Sequence, residues 1–320
     1  MEDGYSLIYP CFRSADTAFM TKSAPLQLNQ RNVNRNLVNW VLFVMLSFIW
    51  GSSFILMKKG MEGLSAYQVA SIRILSAGIV LLPFSIGSFR AVPAEKRGLV
   101  FLSGLLGTFF PAYLFCIAET RIDSSLAGIL NALTPIFTLL IGAFFFGQQI
   151  GWKKWLGVTL GFIGLVALIL SGSRSLSLGY MGYASFILIA TLLYGINVNL
   201  VNRYLRETGP VDIATVAFSM LIIPSLMILY LTGYFSMPEK NWSWDGPTSA
   251  SAMLGILGTA AASVIFYKLL KRAGPVFSSM VTYGIPFVAI FWGVMAGETI
   301  NALQIGCLSV ILGGVYLANK

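Results

Sequence analysis

The 320-residue chain contains no histidine. That absence excludes a histidine metal site, an imidazole proton relay and a serine–histidine dyad within a membrane. Charge is scarce as well: 10% of residues are Asp, Glu, Lys or Arg, against about 25% in soluble globular domains. A chain so poor in charge cannot cover its own surface with polar groups in water. With 57% hydrophobic residues and a mean hydropathy of +0.79, it calls for a solvent as apolar as itself, a lipid bilayer. Three cysteines, Cys11, Cys116 and Cys307, lack the spacing of a disulfide framework or a metal site. No Walker phosphate loop is present, which speaks against ATP-driven work by this chain alone.

What is there is a series of long apolar runs. A transmembrane helix needs about 20 mostly apolar residues, and ten segments qualify: 37–57, 67–86, 98–118, 125–146, 154–170, 181–201, 211–231, 249–270, 276–296 and 302–318. The longest connection, 232–247, carries Pro238, Trp242, Trp244 and Pro247 and reads as an interfacial loop. Residues 1–36 are polar, mixed and without helical period, which predicts a disordered cytoplasmic tail, with Met20 a candidate initiator inside it.

The net charge of +9 invites a nucleic-acid partner, but the basic residues cluster in short connections such as Arg90, Lys96 and Arg97, or Lys268, Lys271 and Arg272. That is the pattern of loops beside anionic lipid headgroups. Fifteen of the 21 Lys and Arg fall on one side of the ten-span topology and five on the other, leaving Arg73 inside a span. Both termini are therefore expected in the cytoplasm.

The two halves repeat. Leu106-Gly107-Thr108 recurs as Leu257-Gly258-Thr259, and Pro135 and Pro286 keep the same offset of 151 residues, as do Gly142 and Gly293. Gly147-Gln148 matches Gly297-Glu298, and Trp50-Gly51 stands against Tyr194-Gly195. Five spans per half is an odd number, so the second half must enter the membrane from the opposite side. The expected fold is all-α and integral to the membrane: ten transmembrane helices as two inverted five-helix repeats, 37–170 and 181–318. In that architecture solute sites lie near the midplane between repeats.

These residues resemble the EamA-type family of the drug/metabolite transporter superfamily. The resemblance covers roughly residues 40–317 and rests on Trp50-Gly51-Ser52-Ser53-Phe54, on Arg73, on the stretch from Ser124 to Pro135, and on the glycines after Gly147. It implies ten helices, cytoplasmic termini and alternating access to a central cavity, with transport of amino acids and related metabolites, sugars, nucleotide-related compounds or toxic organic molecules. Many members carry glutamate where this chain has Gln148, so a carboxylate role there is not carried over.

Arg73 is the charge placed well inside a span, and a charge at that depth must face protein or a wet cavity. It either attracts a substrate carboxylate or ties helix ends together. Asn131 lies one turn before Pro135, whose missing N–H frees a carbonyl. Asn131, Thr134 and Pro135 therefore line a polar cavity or mark a packing kink, and Thr282 and Tyr283 precede Pro286 in the same way. Trp50 and Tyr194, each about 13 residues into oppositely directed spans, either close the cavity alternately or pack against neighbours. Of Asn197 and Asn199, on opposite helix faces, Asn197 is the one favoured to face the bundle. Tyr113 joins the candidate lining. Gly157, Gly161, Gly164, Gly293 and Gly297 offer close helix packing or a dimer contact.

No Asp or Glu sits mid-span; Glu119 and Glu298 lie near ends. The expectation is a bacterial-type inner-membrane exporter of amino acids or similar small metabolites. Such a carrier needs a small-molecule substrate and membrane lipids, with no cofactor, metal or nucleic acid, and acts as a monomer or weak homodimer. Efflux of drugs or hydrophobic cations is the alternative, with a membrane receptor or lipid-modifying enzyme from other classes.

Overall fold

In lipid, every backbone N–H and C=O must find its partner within the segment, so an uninterrupted apolar run becomes a helix. The computed structural model, which describes residues 23–122, 127, 130–170, 181–237, 246–285, 287–288 and 302–319, is built of helices. The chain divides into two units, residues up to Val41 and Leu42–Lys320, and the second holds every cavity and side-chain contact described below.

The first half runs α1 (Ser23–Met61), α2 (Ala66–Leu81), a 3-10 turn, α3 (Ser85–Ala91), α4 (Ala94–Gly104), a π-helical segment (Leu105–Phe109), α5 (Phe110–Glu119), α6 (Thr134–Phe146) and α7 (Trp152–Leu170). The second runs α8 (Met181–Tyr204), α9 (Pro210–Leu231), α10 (Pro247–Gly255), a second π segment (Ile256–Ala261), α11 (Ala262–Ala273), α12 (Pro275–Ser279), a 3-10 segment (Met280–Gly284) and α13 (Ala302–Asn319). Six stretches are long and apolar enough to cross a membrane: Asn36–Met61, Ala66–Ala91, Ala94–Glu119, Gly182–Tyr204, Pro210–Leu231 and Pro247–Ala273. Thr134–Phe146 and Ile305–Ala318 are shorter apolar helices.

Two local expectations are corrected. Residues 23–36, expected as part of a disordered tail, belong to α1. Pro25 sits in its first turn, where the missing N–H costs nothing, and no glycine or proline follows until Gly51. Pro135 does not kink a continuous helix. It lies in the first turn of α6, after a turn at Ala132–Leu133. Pro286, Gly293, Gly297 and Glu298, the tail before Ser23 and the tryptophans of the 232–247 connection lie outside the described residues.

Two contacts position the centre. The Cβ that Gly255 lacks would collide with the carbonyl of Arg73 and with Ser76 Oγ, and Ser76 Oγ donates to the carbonyl of Ala252 at 3.2 Å. Backbone approach of this kind presses α2 onto α10, so that Arg73 faces the second π segment. On α8, Asn199 is fully buried: its Nδ2 donates to the carbonyls of Thr138 and Gly195, each at 2.8 Å, and its Oδ1 accepts from Gln148 Nε2 at 2.8 Å. Asn199 thereby bolts α8 to α6 and turns the opposite face, with Asn197, toward the centre.

Candidate functional site

The two π segments carry the repeated Leu-Gly-Thr. A π turn adds one residue to the helical circuit and displaces a carbonyl from its ordinary partner, an arrangement common at functional sites. In the first, the N–H of Phe110 reaches back five residues to Leu105, and Pro111 has no N–H to return to the Gly107 carbonyl. In the second, Ala262 donates to Leu257 instead of Gly258, and the freed Gly258 carbonyl accepts Trp50 Nε1–H at 3.1 Å. Glycine is needed at both centres. A Cβ on Gly107 would run into Asn197 Nδ2, and one on Gly258 would meet Ser53 Oγ at 2.6 Å.

Between these segments lies a cavity of about 120 Å³, several times the roughly 10–15 Å³ that holds one water. α1 supplies Trp50, Ser53, Phe54 and Met57, and α2 supplies Arg73. The π segments add Gly107, Thr108, Gly258 and Thr259, and α8 adds Tyr194, Asn197 and Val198. Phe115, Asn131, Thr134, Ser263, Phe266, Tyr267, Ser279, Thr282 and Ile285 complete the described wall.

Arg73 is half-buried, and its Nε donates to Thr259 Oγ1 at 2.6 Å. Among the described residues no carboxylate pairs with it and no Asp or Glu lines the cavity. Trp50 stacks near Phe266 at 5.5 Å between ring centres, and Tyr194 near Phe115 at 6.2 Å. Thr134 Oγ1 lies 2.7 Å from the Asn131 carbonyl and 3.3 Å from its Oδ1, closing the turn ahead of α6. Tyr267 meets Ser103 Oγ at 3.3 Å and the Asn197 side chain. The wall is thus aromatic and apolar, dotted with hydroxyls and amides, and carries one cation.

The cavity gathers seven of the candidate residues singled out from sequence: Trp50, Arg73, Asn131, Thr134, Tyr194, Asn197 and Thr282. Two others lie elsewhere. The Tyr113 hydroxyl pairs with Ser71 Oγ at 2.7 Å in the core between α2 and α5. Tyr283 is fully buried against Gly161, its hydroxyl donating to the Val158 carbonyl at 3.0 Å. Sequence reasoning missed Thr108, Thr259 and Tyr267 as cavity residues, although the repeated Leu-Gly-Thr already marked the first two. A second, more open recess meets the ends of α1, α2 and α5, with Lys58, Glu62 and Glu119 on its wall. Among the described residues no group of three His, Cys, Asp or Glu could hold a metal.

A model described as the EamA-like transporter family matches residues 38–170 and again residues 181–320. An uncharacterized transporter of Synechocystis sp. is 26% identical over 91% of this chain and 92% of its own length. A probable amino-acid metabolite efflux pump of Escherichia coli is 26% identical over 87% of this chain and 93% of its own. One solved crystal structure, 16% identical, superposes with a TM-score of 0.68 over 89% of this chain and 96% of that one, and shares the fold.

Proposed function

The chain belongs to the EamA-like transporter family, and from that premise we propose that it is a secondary transporter that exports amino acids or similarly small metabolites by alternating access. The observation that carries the reading is the central cavity with Arg73 as the sole charge on its described wall. A guanidinium at membrane depth costs at least about 2.5–3.5 kcal/mol on insertion scales. Thr259 takes one of its five donors, and a substrate carboxylate offers a bidentate partner for others. A relative named as a probable amino-acid metabolite efflux pump supports the same substrate class.

In this reading the chain forms ten helices in two inverted repeats, with both termini cytoplasmic in a bacterial inner membrane. The break before α6 and the two π segments are the places where backbone bonds exchange at least cost as access alternates. Trp50 and Tyr194, at mirrored depths, close the two mouths in turn. The recess at Lys58 and Glu119 is the outer vestibule. A hydrophobic cation would meet the uncompensated charge of Arg73, so cation efflux is the disfavoured reading.

The test is counterflow in proteoliposomes loaded with amino acids, nucleosides, sugars or organic cations, with wild type beside Arg73→Ala. Amino-acid accumulation abolished in the variant supports the reading. Accumulation of organic cations, retained in Arg73→Ala, replaces it with cation efflux. Folded protein that moves no solute removes the carrier altogether.

A further inference from the structure

We infer that Asn197 Oδ1 is the acceptor for the substrate's ammonium group, so that Arg73 and Asn197 together select a zwitterion over an acid or an amine. The inference rests on reading the cavity as the substrate site. Asn197 is 3% exposed and lines the cavity, yet its Oδ1 has no hydrogen-bond partner. A buried carbonyl oxygen left without a donor is uncommon and needs a reason. The side chain's other end is engaged: Nδ2 is packed against Gly107, and the amide meets the Tyr267 hydroxyl.

Other amides near the centre are spoken for. Asn131 Oδ1 faces the Thr134 hydroxyl, and Asn199 is consumed by backbone carbonyls and Gln148. Asn197 is therefore the amide with a spare acceptor, buried directly behind a wall that holds no carboxylate among its described residues, and a ligand reaches it when the amide turns into the cavity. A neutral acceptor suits an ammonium whose charge is already balanced by a carboxylate on the same molecule. A bare amine would bring its charge toward Arg73 uncompensated, and a bare acid would leave Oδ1 unpaired. The two poles are fixed in matching ways, since Asn197 abuts the Leu-Gly-Thr turn of the first half and Arg73 bonds to that of the second.

The experiment is counterflow of each labelled amino acid, followed by competition with its des-amino acid and its decarboxylated amine; for leucine these are 4-methylpentanoate and 3-methylbutylamine. Wild type should prefer the amino acid to both by about 10-fold or more, the scale of one hydrogen bond to a charged group. Asn197→Leu should erase the preference over the des-amino acid by weakening only the amino acid, while Asn197→Asp keeps it. Arg73→Ala should erase the preference over the amine instead. Asn197→Ala, read by quenching of tryptophan fluorescence on binding, replaces the leucine variant if that one does not fold. Equal weakening of both ligands, or no change in preference, would overturn the assignment while leaving amino-acid transport standing. Wild type that carries no amino acid would overturn the proposed function and this inference together.

Discussion

Arg73 Nε donates to Thr259 Oγ1 at 2.6 Å, a hydrogen bond that joins α2 of the first half to the π segment of the second. The bond holds the guanidinium at one wall and leaves its terminal nitrogens for a ligand. Thr259→Val keeps the shape but removes the acceptor. The half-saturation concentration for transport should rise about 10-fold, the value of a hydrogen bond to a charged group, while Thr259→Ser stays near wild type. Concentration-dependent uptake in proteoliposomes reads the difference.

Gly107 and Asn197 are packed so that any Cβ on the glycine meets the amide. Gly107→Ala should therefore destabilise the protein by about 1–3 kcal/mol, as overpacking in a well-filled core does. Adding Asn197→Ala should restore much of the loss. A thermal-unfolding double-mutant cycle in detergent measures the coupling, and additive losses would rule out the contact as the cause.

Asn199 connects α8 to α6 through three hydrogen bonds. Asn199→Leu removes the side-chain bonds to the Thr138 and Gly195 carbonyls, which keep their helical partners, and leaves Gln148 Nε2 without its acceptor, so it should cost about 1–3 kcal/mol. Gln148→Glu puts a carboxylate against Asn199 Oδ1, acceptor against acceptor, and should lower the melting temperature by less than Asn199→Leu does. Both variants should keep the wild-type ranking of substrates, because neither residue touches the cavity.

Tyr283 anchors the 3-10 segment to α7 through its bond to the Val158 carbonyl. Tyr283→Phe should cost about 0.5–1.5 kcal/mol of stability, the net value of one neutral hydrogen bond. Competition profiles among amino acids should be unchanged, whereas Trp50→Phe, which loses its bond to the Gly258 carbonyl inside the cavity, should alter them.

Apolar runs carry most of the helical plan because lipid leaves a chain no other way to satisfy its backbone. Arg73 could be read as inward-facing for a related reason, since a charge has no stable place among acyl chains. The rest depended on rotation and register. Tyr113 and Tyr194 look alike in sequence, but Tyr194 reaches the cavity while Tyr113 turns onto Ser71. Proline predicted an interruption near Pro135 but not its form, because a proline in a first helical turn and one in a kink have the same local sequence. The π segments were visible only as a repeated Leu-Gly-Thr, whose extra residue per turn emerges from Pro111 on one side and the Trp50 indole on the other.

α7 and α13 meet where Cβ atoms on Gly157 and Gly314 would each lie 2.6 Å from backbone of the opposite helix. Surfaces fitted this closely cannot slide past one another without driving main chain into main chain, so the pair acts as a splint. In the proposed transport cycle the two helices therefore move as one body.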